Sequence, residues 1–165
     1  MLTVISGGQT GIDRLALDLA IELKIDHGGW CPKGRRSEDG TIPIDYQLQE
    51  TDSRNYAQRT ERNIVESDGT LILFGETLSG GTELTAKIAR RLNRPSLAIG
   101  VKKLNEAALV CAETECLKWL IDHQISVLNV AGPRLSSAPN LPDLFNPFLK
   151  SVLQQFSEAL QLRQK

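Results

Sequence analysis

Short apolar runs rich in β-branched residues alternate along this chain with longer stretches whose apolar positions recur every three or four residues. Residues 2–5, Leu-Thr-Val-Ile, have the character of a strand buried on both faces, and residues 11–24 follow with Leu15, Leu19 and Leu23 at helical spacing. Gly28-Gly29-Trp30-Cys31-Pro32 predicts a short second strand, closed by a proline that cannot continue a ladder. The spacing predicts a helix over 55–66, a buried strand over 69–74, and a helix over 82–92 that packs Leu84, Ile88 and Leu92 inward and is stopped by Asn93 and Pro95. A fourth strand over 96–101, a fourth helix over 105–124 and a fifth strand over 125–130 complete the pattern, and Gly132-Pro133 then turns the chain. Pro139, Pro142 and Pro147 predict an irregular approach to a last helix. Its Leu144, Phe145, Phe148, Leu149, Val152, Phe156 and Leu160 form a wide apolar face suited to a core or a subunit interface.

Strands alternating with helices imply an α/β fold, a doubly wound and mainly parallel sheet with helices on both faces, here with five central strands in a single domain over 1–165. In such sheets ligands bind beyond the carboxyl ends of the strands, where neighbouring loops diverge to opposite faces. Two glycine loops are placed to meet there. Ser6-Gly7-Gly8-Gln9-Thr10-Gly11 follows the first strand and Ser79-Gly80-Gly81-Thr82 follows the third, each running into a helix whose unpaired amides and positive dipole end attract an anion. Neither has the Gly-Lys-Ser/Thr of a Walker loop or the Gly-x-Gly-x-x-Gly of a dinucleotide fingerprint, and a tight turn without ligand fits the first loop as well.

The intervening sequence adds charge. Residues 33–52 are too long for an ordinary connection, a length that belongs to binding loops, lids or disorder, and they carry Lys33, Arg35 and Arg36. Paired arginines can bind phosphate or carboxylate in a bidentate manner, or can be solvated charge balanced by Glu38 and Asp39. On the helix over 55–66, Arg59 and Asn63 are four apart and can point the same way, toward ligand or solvent.

Composition narrows the classes. Nineteen Lys plus Arg against twenty Asp plus Glu leave a net charge of −1, so broad attraction to nucleic acid or an acidic membrane is not implied and any anion site must be local. No apolar stretch approaches the ~20 residues of a membrane-spanning helix. Met1 runs straight into a strand with no secretory signal, so a cytoplasmic location is expected. The odd cysteines Cys31, Cys111 and Cys116 lack metal-ligand spacing, which argues for reduced thiols and no metal ligands.

Taken together, Ser6-Gly7-Gly8-Gln9-Thr10-Gly11-Ile12-Asp13-Arg14, Gly28-Gly29-Trp30-Cys31-Pro32-Lys33-Gly34-Arg35-Arg36, Glu38-Asp39-Gly40, Arg59-Thr60 with Asn63, Leu78-Ser79-Gly80-Gly81-Thr82 and Leu128-Asn129-Val130-Ala131-Gly132-Pro133-Arg134 resemble the family named "putative molybdenum carrier protein". That family is a branch of the Rossmann-like group containing the lysine-decarboxylase-like and cytokinin-activating phosphoribohydrolases. The resemblance covers nearly the whole chain. It implies a Rossmann-like fold, a glycine-lined nucleotide-type pocket, a homo-oligomer, and molybdenum cofactor, a pterin bearing a phosphate, as ligand; ADP-ribose or a nucleotide would suit such a pocket equally.

Three functions follow as expectations. The first is a carrier that holds a small phosphorylated ligand on the amides of Gly7, Gly8, Gly80 and Gly81, with Gln9, Thr10, Gly11, Ser79 and Thr82 beside them and Lys33, Arg35, Arg36, Arg59 and Asn63 around them. The second is an N-glycosidic hydrolase of nucleoside monophosphates, which needs a carboxylate near the ribose. The phosphoribohydrolases carry Pro-Gly-Gly-x-Gly-Thr followed after two residues by a catalytic glutamate. Here the proline and one glycine are absent, the glutamate position holds Thr85, and Glu83 is displaced by roughly 200° around the helix. Asp13, Glu38 and Asp39 are the possible substitutes. The third, DNA binding, has neither a basic stripe nor enough aromatic residues behind it.

Overall fold

A computed structural model describes residues 1–162. In chain order its elements are β1 (Thr3–Ile5), α1 (Ile12–Glu22), β2 (Asp26–Gly28), β3 (Trp30–Cys31), β4 (Arg36–Ser37), β5 (Gly40–Thr41), β6 (Gln49–Glu50), α2 (Tyr56–Glu66), β7 (Gly69–Phe74), α3 (Gly80–Arg91), β8 (Ser96–Gly100), a 3-10 turn (Val101–Leu104), α4 (Glu106–Asp122), β9 (Val127–Ala131) and α5 (Leu141–Leu162). The central sheet has five parallel strands in the order β2-β1-β9-β7-β8. The fold is therefore the expected doubly wound, Rossmann-like α/β sheet.

Strand alternation sorts side chains onto two faces. Val4, Leu71, Leu73, Leu128 and Val130 join the main core with α1, α4 and α5, whereas α2 and α3 pack on each other around Ile64, Ile88 and Ala89. Phe145, Phe148, Leu149 and Val152 are fully buried in the main core, so the apolar face of α5 is core and not an exposed interface. At about 1.5–3 kcal/mol for each large side chain removed from water, this face outweighs the hydrogen bond lost at Pro147, which lies inside α5 rather than ahead of it. Leu84, expected to pack inward, is instead 39% exposed on α3, and Leu144, expected on a core or interface face, is 51% exposed on α5. Each sits at the edge of its apolar stripe, where periodicity alone cannot place the boundary of burial.

The second strand is two strands. Asp26–Gly28 pairs with β1, but at Gly29 (φ +122) the chain leaves the central sheet, and Trp30–Cys31 pairs instead with Gln49–Glu50. A Cβ at Gly29 would lie 2.3 Å from the carbonyl oxygen of Ser6, so only glycine permits this crossing. The segment 33–52 is likewise built rather than open. Its β4–β5 hairpin is antiparallel, and the guanidinium of Arg35 donates to the carbonyls of Ile42, Pro43, Tyr46 and Leu48. Ile42 and Leu48 then close over Gly8.

Asp39 ties this hairpin to α1 through Arg14 and through the Ser37 hydroxyl, contacts that hold its carboxyl down at about 2. A depressed carboxylate contributes stability above its unfolded value near 3.8 and loses it as pH falls toward about 2. Asp39→Asn should therefore unfold at slightly lower urea than the parent at pH 6, with the gap closing between pH 4 and 2. Equal gaps at both ends would show that the carboxylate charge is not what matters.

Candidate functional site

The helices that follow the strands change from one face of the sheet to the other between β9 and β7. Strands β1 and β9 feed α1 and α5 on one face, while β7 feeds α3 on the other, so the switch point lies between β9 and β7. This corrects the expectation that the loops after the first and third strands are direct neighbours. β9 separates them, and its outgoing loop forms the floor between the two glycine loops.

A crevice of about 310 Å³ opens at this point. The β1–α1 loop contributes Gln9 and α1 contributes Asp13, α2 contributes Tyr56, Arg59 and Thr60, the β7–α3 loop contributes Thr77 and Ser79, and the start of α3 contributes Gly80, Gly81, Thr82, Leu84 and Thr85. The β9–α5 loop supplies Ala131, Gly132, Pro133, Arg134, Ser136 and Ser137. Apart from Leu84, Ala131 and Pro133, the side chains lining it are polar or charged.

The two glycine loops are not equivalent. In the first, Gly7 lies under the Arg59 guanidinium, where a Cβ would come within 1.6 Å of Nη1, and Gly8 is covered by Leu48. Gly11 (φ +84) lies against the Pro133 carbonyl, 2.4 Å from where its Cβ would be, and the Ile12 amide donates to that same carbonyl. The Gln9 carboxamide oxygen accepts from the Thr10 and Glu38 amides, and the Thr10 hydroxyl donates to Glu38 and accepts from the Leu135 amide. Thus the first loop is filled with its own contacts, and only Gln9 of its glycine-loop residues reaches the crevice.

The second loop is open. Ser79 makes no side-chain cap, and the amides of Gly80, Gly81 and Thr82 occupy the first turn of α3, where no intrahelical acceptor exists. A Cβ at Gly80 or Gly81 would meet nothing within 4 Å. Gly80 holds φ +54, a left-handed conformation at the entry to the helix.

At the floor Asp13 is almost wholly buried and accepts from Arg59 Nη1 at 3.0 Å, from the Gln9 amide at 3.4 Å and from the Gly132 amide. Burial pushes its carboxyl above the ordinary 3.8, and the Arg59 charge and these hydrogen bonds oppose that push. Asp13 thus braces the first helix and the β9–α5 loop together. Arg59 keeps a buried Nε with no partner among the described residues.

The other expected residues lie elsewhere. Arg35 is engaged by four carbonyls within its own loop, and Asn63, buried at 1% exposure, accepts from the Trp30 amide and donates to the Trp30 carbonyl. Both act on backbone and not in the crevice. Lys33 is exposed outside the crevice. Arg36 stands at the rim, its guanidinium carbon 5.9 Å from the Tyr56 ring centroid. Glu38 accepts from Thr10 and from the amide and hydroxyl of Ser136, and lies 3.9 Å from Arg134; partial desolvation raises its pKa, but these donors outweigh it and the net shift is downward. Sequence reasoning missed Tyr56, Arg134 and Ser136 as crevice residues. The signal available was Gly132-Pro133-Arg134, a turn at the end of a buried strand, which has the same strand-to-turn form as the two loops that were chosen.

Cys31 and Cys116 are buried, and desolvation raises both thiols, Cys116 to about 12. Among the described residues no group of His, Cys, Asp and Glu could hold a metal ion, and no helix is long and apolar enough to cross a membrane.

Comparison with known proteins agrees with this fold. No curated protein matches the chain. A crystal structure of "putative molybdenum carrier protein" from Syntrophus aciditrophicus is 42% identical, with a TM-score of 0.88 over 93% of this chain and 95% of that one. The family model of the circularly permutated YpsA SLOG family matches residues 4–153. With that match spanning nearly all of the sheet and every wall of the crevice, the chain belongs to the circularly permutated YpsA SLOG family.

Proposed function

We propose that the protein is a carrier that holds a phosphorylated ligand in this crevice without transforming it, and that the ligand is molybdenum cofactor. The observation that carries the reading is the uncapped N-terminus of α3, where the amides of Gly80, Gly81 and Thr82 have no intrahelical acceptor and their residues line the crevice wall. Backbone amides and a helix dipole suit a terminal phosphate, and Ser79, Thr82, Gln9, Arg59 and Arg134 surround the remaining volume. The likeness to the Syntrophus protein supports molybdenum as the cargo's metal.

The hydrolase reading has less behind it. Glu83 pairs with Lys87 at 2.6 Å on the exposed side of α3, and the Thr85 hydroxyl donates to the Gly81 carbonyl. Among the described residues Asp13 is the carboxylate lining the crevice, and Arg59 and two amides already brace it.

Denaturing the purified protein and identifying the released small molecule by mass spectrometry, with an elemental assay for molybdenum, tests the proposal. Pterin phosphate with stoichiometric molybdenum is the expected result. A nucleotide or ADP-ribose species without molybdenum would overturn the choice of cargo and keep the phosphate site.

A further inference from the structure

We infer that the crevice has a second anion site at its rim, a clamp of Arg36 and Arg134 held by Tyr56, so that the ligand carries two separated anionic groups. The inference rests on the phosphate reading above for its first group and adds the second. Tyr56 is the first residue of α2, fixed by the Asn55 cap, and it lines the crevice wall. The guanidinium carbons of Arg36 and Arg134 lie 5.9 and 6.0 Å from the centre of its ring. One arginine comes from the β4–β5 hairpin and the other from the β9–α5 loop, so two segments far apart in sequence bring their cations to one aromatic ring.

The charge at this place is not balanced. Among the described residues Arg36 has no carboxylate within ion-pair reach, and Arg134 has only Glu38 at a loose 3.9 Å. Glu38 is already occupied by Thr10 and by both donors of Ser136. Both guanidiniums lie within cation–π reach of the ring, and among the described residues neither donates a hydrogen bond, so their N–H groups are available to oxygen acceptors. The acceptor is an oxyanion, either a second phosphate or a metal oxyanion at the far end of the cargo.

Linked anions read such a pair of sites directly, since a tether raises affinity only when it spans them. Alkane bisphosphonates with chains of about two to eight carbons would be titrated calorimetrically against the alkyl monophosphonates of equal length. Expected is one chain length at which the bisphosphonate binds about tenfold or more tightly than its monophosphonate. Arg36→Gln with Arg134→Gln should abolish that gain, lowering bisphosphonate affinity at least about tenfold more than monophosphonate affinity. A flat length profile, or an optimum that survives the double substitution, overturns the clamp while the phosphate site stands. Monophosphonates that fail to bind, or that ignore a carboxylate placed at Gly81, overturn the phosphate site and the clamp with it. With monophosphonate saturating, stronger retention of molybdate than of inorganic phosphate, lost in the double variant, assigns the rim to a metal oxyanion; the reverse order assigns it to a second phosphate.

Discussion

Arg59→Met should cost the fold about 3–5 kcal/mol at pH 7, because it strands the buried carboxylate of Asp13 without its counterion. The pair is well removed from water, with side chains 13% and 3% exposed at 3.0 Å, so the loss is that of an uncompensated buried charge and not of a surface ion pair. Burial already raises the Asp13 carboxyl and Arg59 is the strongest influence opposing it, so the substitution raises the folded-state pKa further. A carboxyl whose folded pKa exceeds its unfolded value favours the fold most below the unfolded value, near 3.8, and loses that contribution as pH rises through the folded one. The deficit of Arg59→Met relative to the parent should therefore shrink as pH falls from 7 toward 4. Adding Asp13→Asn should restore most of the loss at pH 7, since the amide oxygen still accepts from the Gln9 and Gly132 amides. Urea denaturation of the three proteins at pH 7 and pH 4.5 decides the matter. Unchanged stability of Arg59→Met at pH 7, or no recovery in the double variant, would remove Arg59 from this role.

That pair also marks the limit of what the sequence made legible. The β-branched runs and the spacing of Leu15, Leu19, Ile88 and Phe148 specify elements through local periodicity, and the parallel doubly wound sheet follows from their alternation. Strand order does not, because β9 enters between β1 and β7 through contacts more than fifty residues apart in sequence. With the order misplaced, the β9–α5 loop and its Arg134 went unassigned. The polar residues diverged for a different reason. Arg35, Asn63 and Arg59 are equally plausible ligands by type, yet Arg35 satisfies four carbonyls, Asn63 holds Trp30 backbone and Arg59 neutralises Asp13. Buried or irregular backbone must find partners, and the residues able to supply them are the same ones that bind ligands. Glycine carries the same ambiguity. Gly7, Gly8 and Gly11 are small because protein lies against them, whereas Gly80 and Gly81 are small where nothing does.

The contrast between glycines leads to the largest effect expected on binding. Gly81→Asp should lower the affinity for an alkyl phosphonate on the order of 100-fold while slightly stabilising the protein. A Cβ at this position would have no neighbour within 4 Å, and the backbone has no positive φ, so a side chain enters without strain. Replacing a helical glycine removes an entropic cost of about 0.5–1 kcal/mol, and a carboxylate in the first turn complements the dipole by about 0.3–1 kcal/mol. That same carboxylate would occupy the amides proposed for phosphate and repel a second anion. Gly81→Ala separates the two effects, since it shares the entropic gain and adds no charge, and it should keep affinity within a few-fold of the parent. Gly80→Ala, at φ +54, should instead destabilise by about 1–2 kcal/mol through backbone strain. Calorimetric titration beside thermal unfolding reads both quantities. Retained phosphonate affinity in a folded, stabilised Gly81→Asp would show that the α3 N-terminus is not where the anion binds, whereas loss of affinity with gain of stability is difficult to obtain unless the carboxylate and the ligand compete for the same amides.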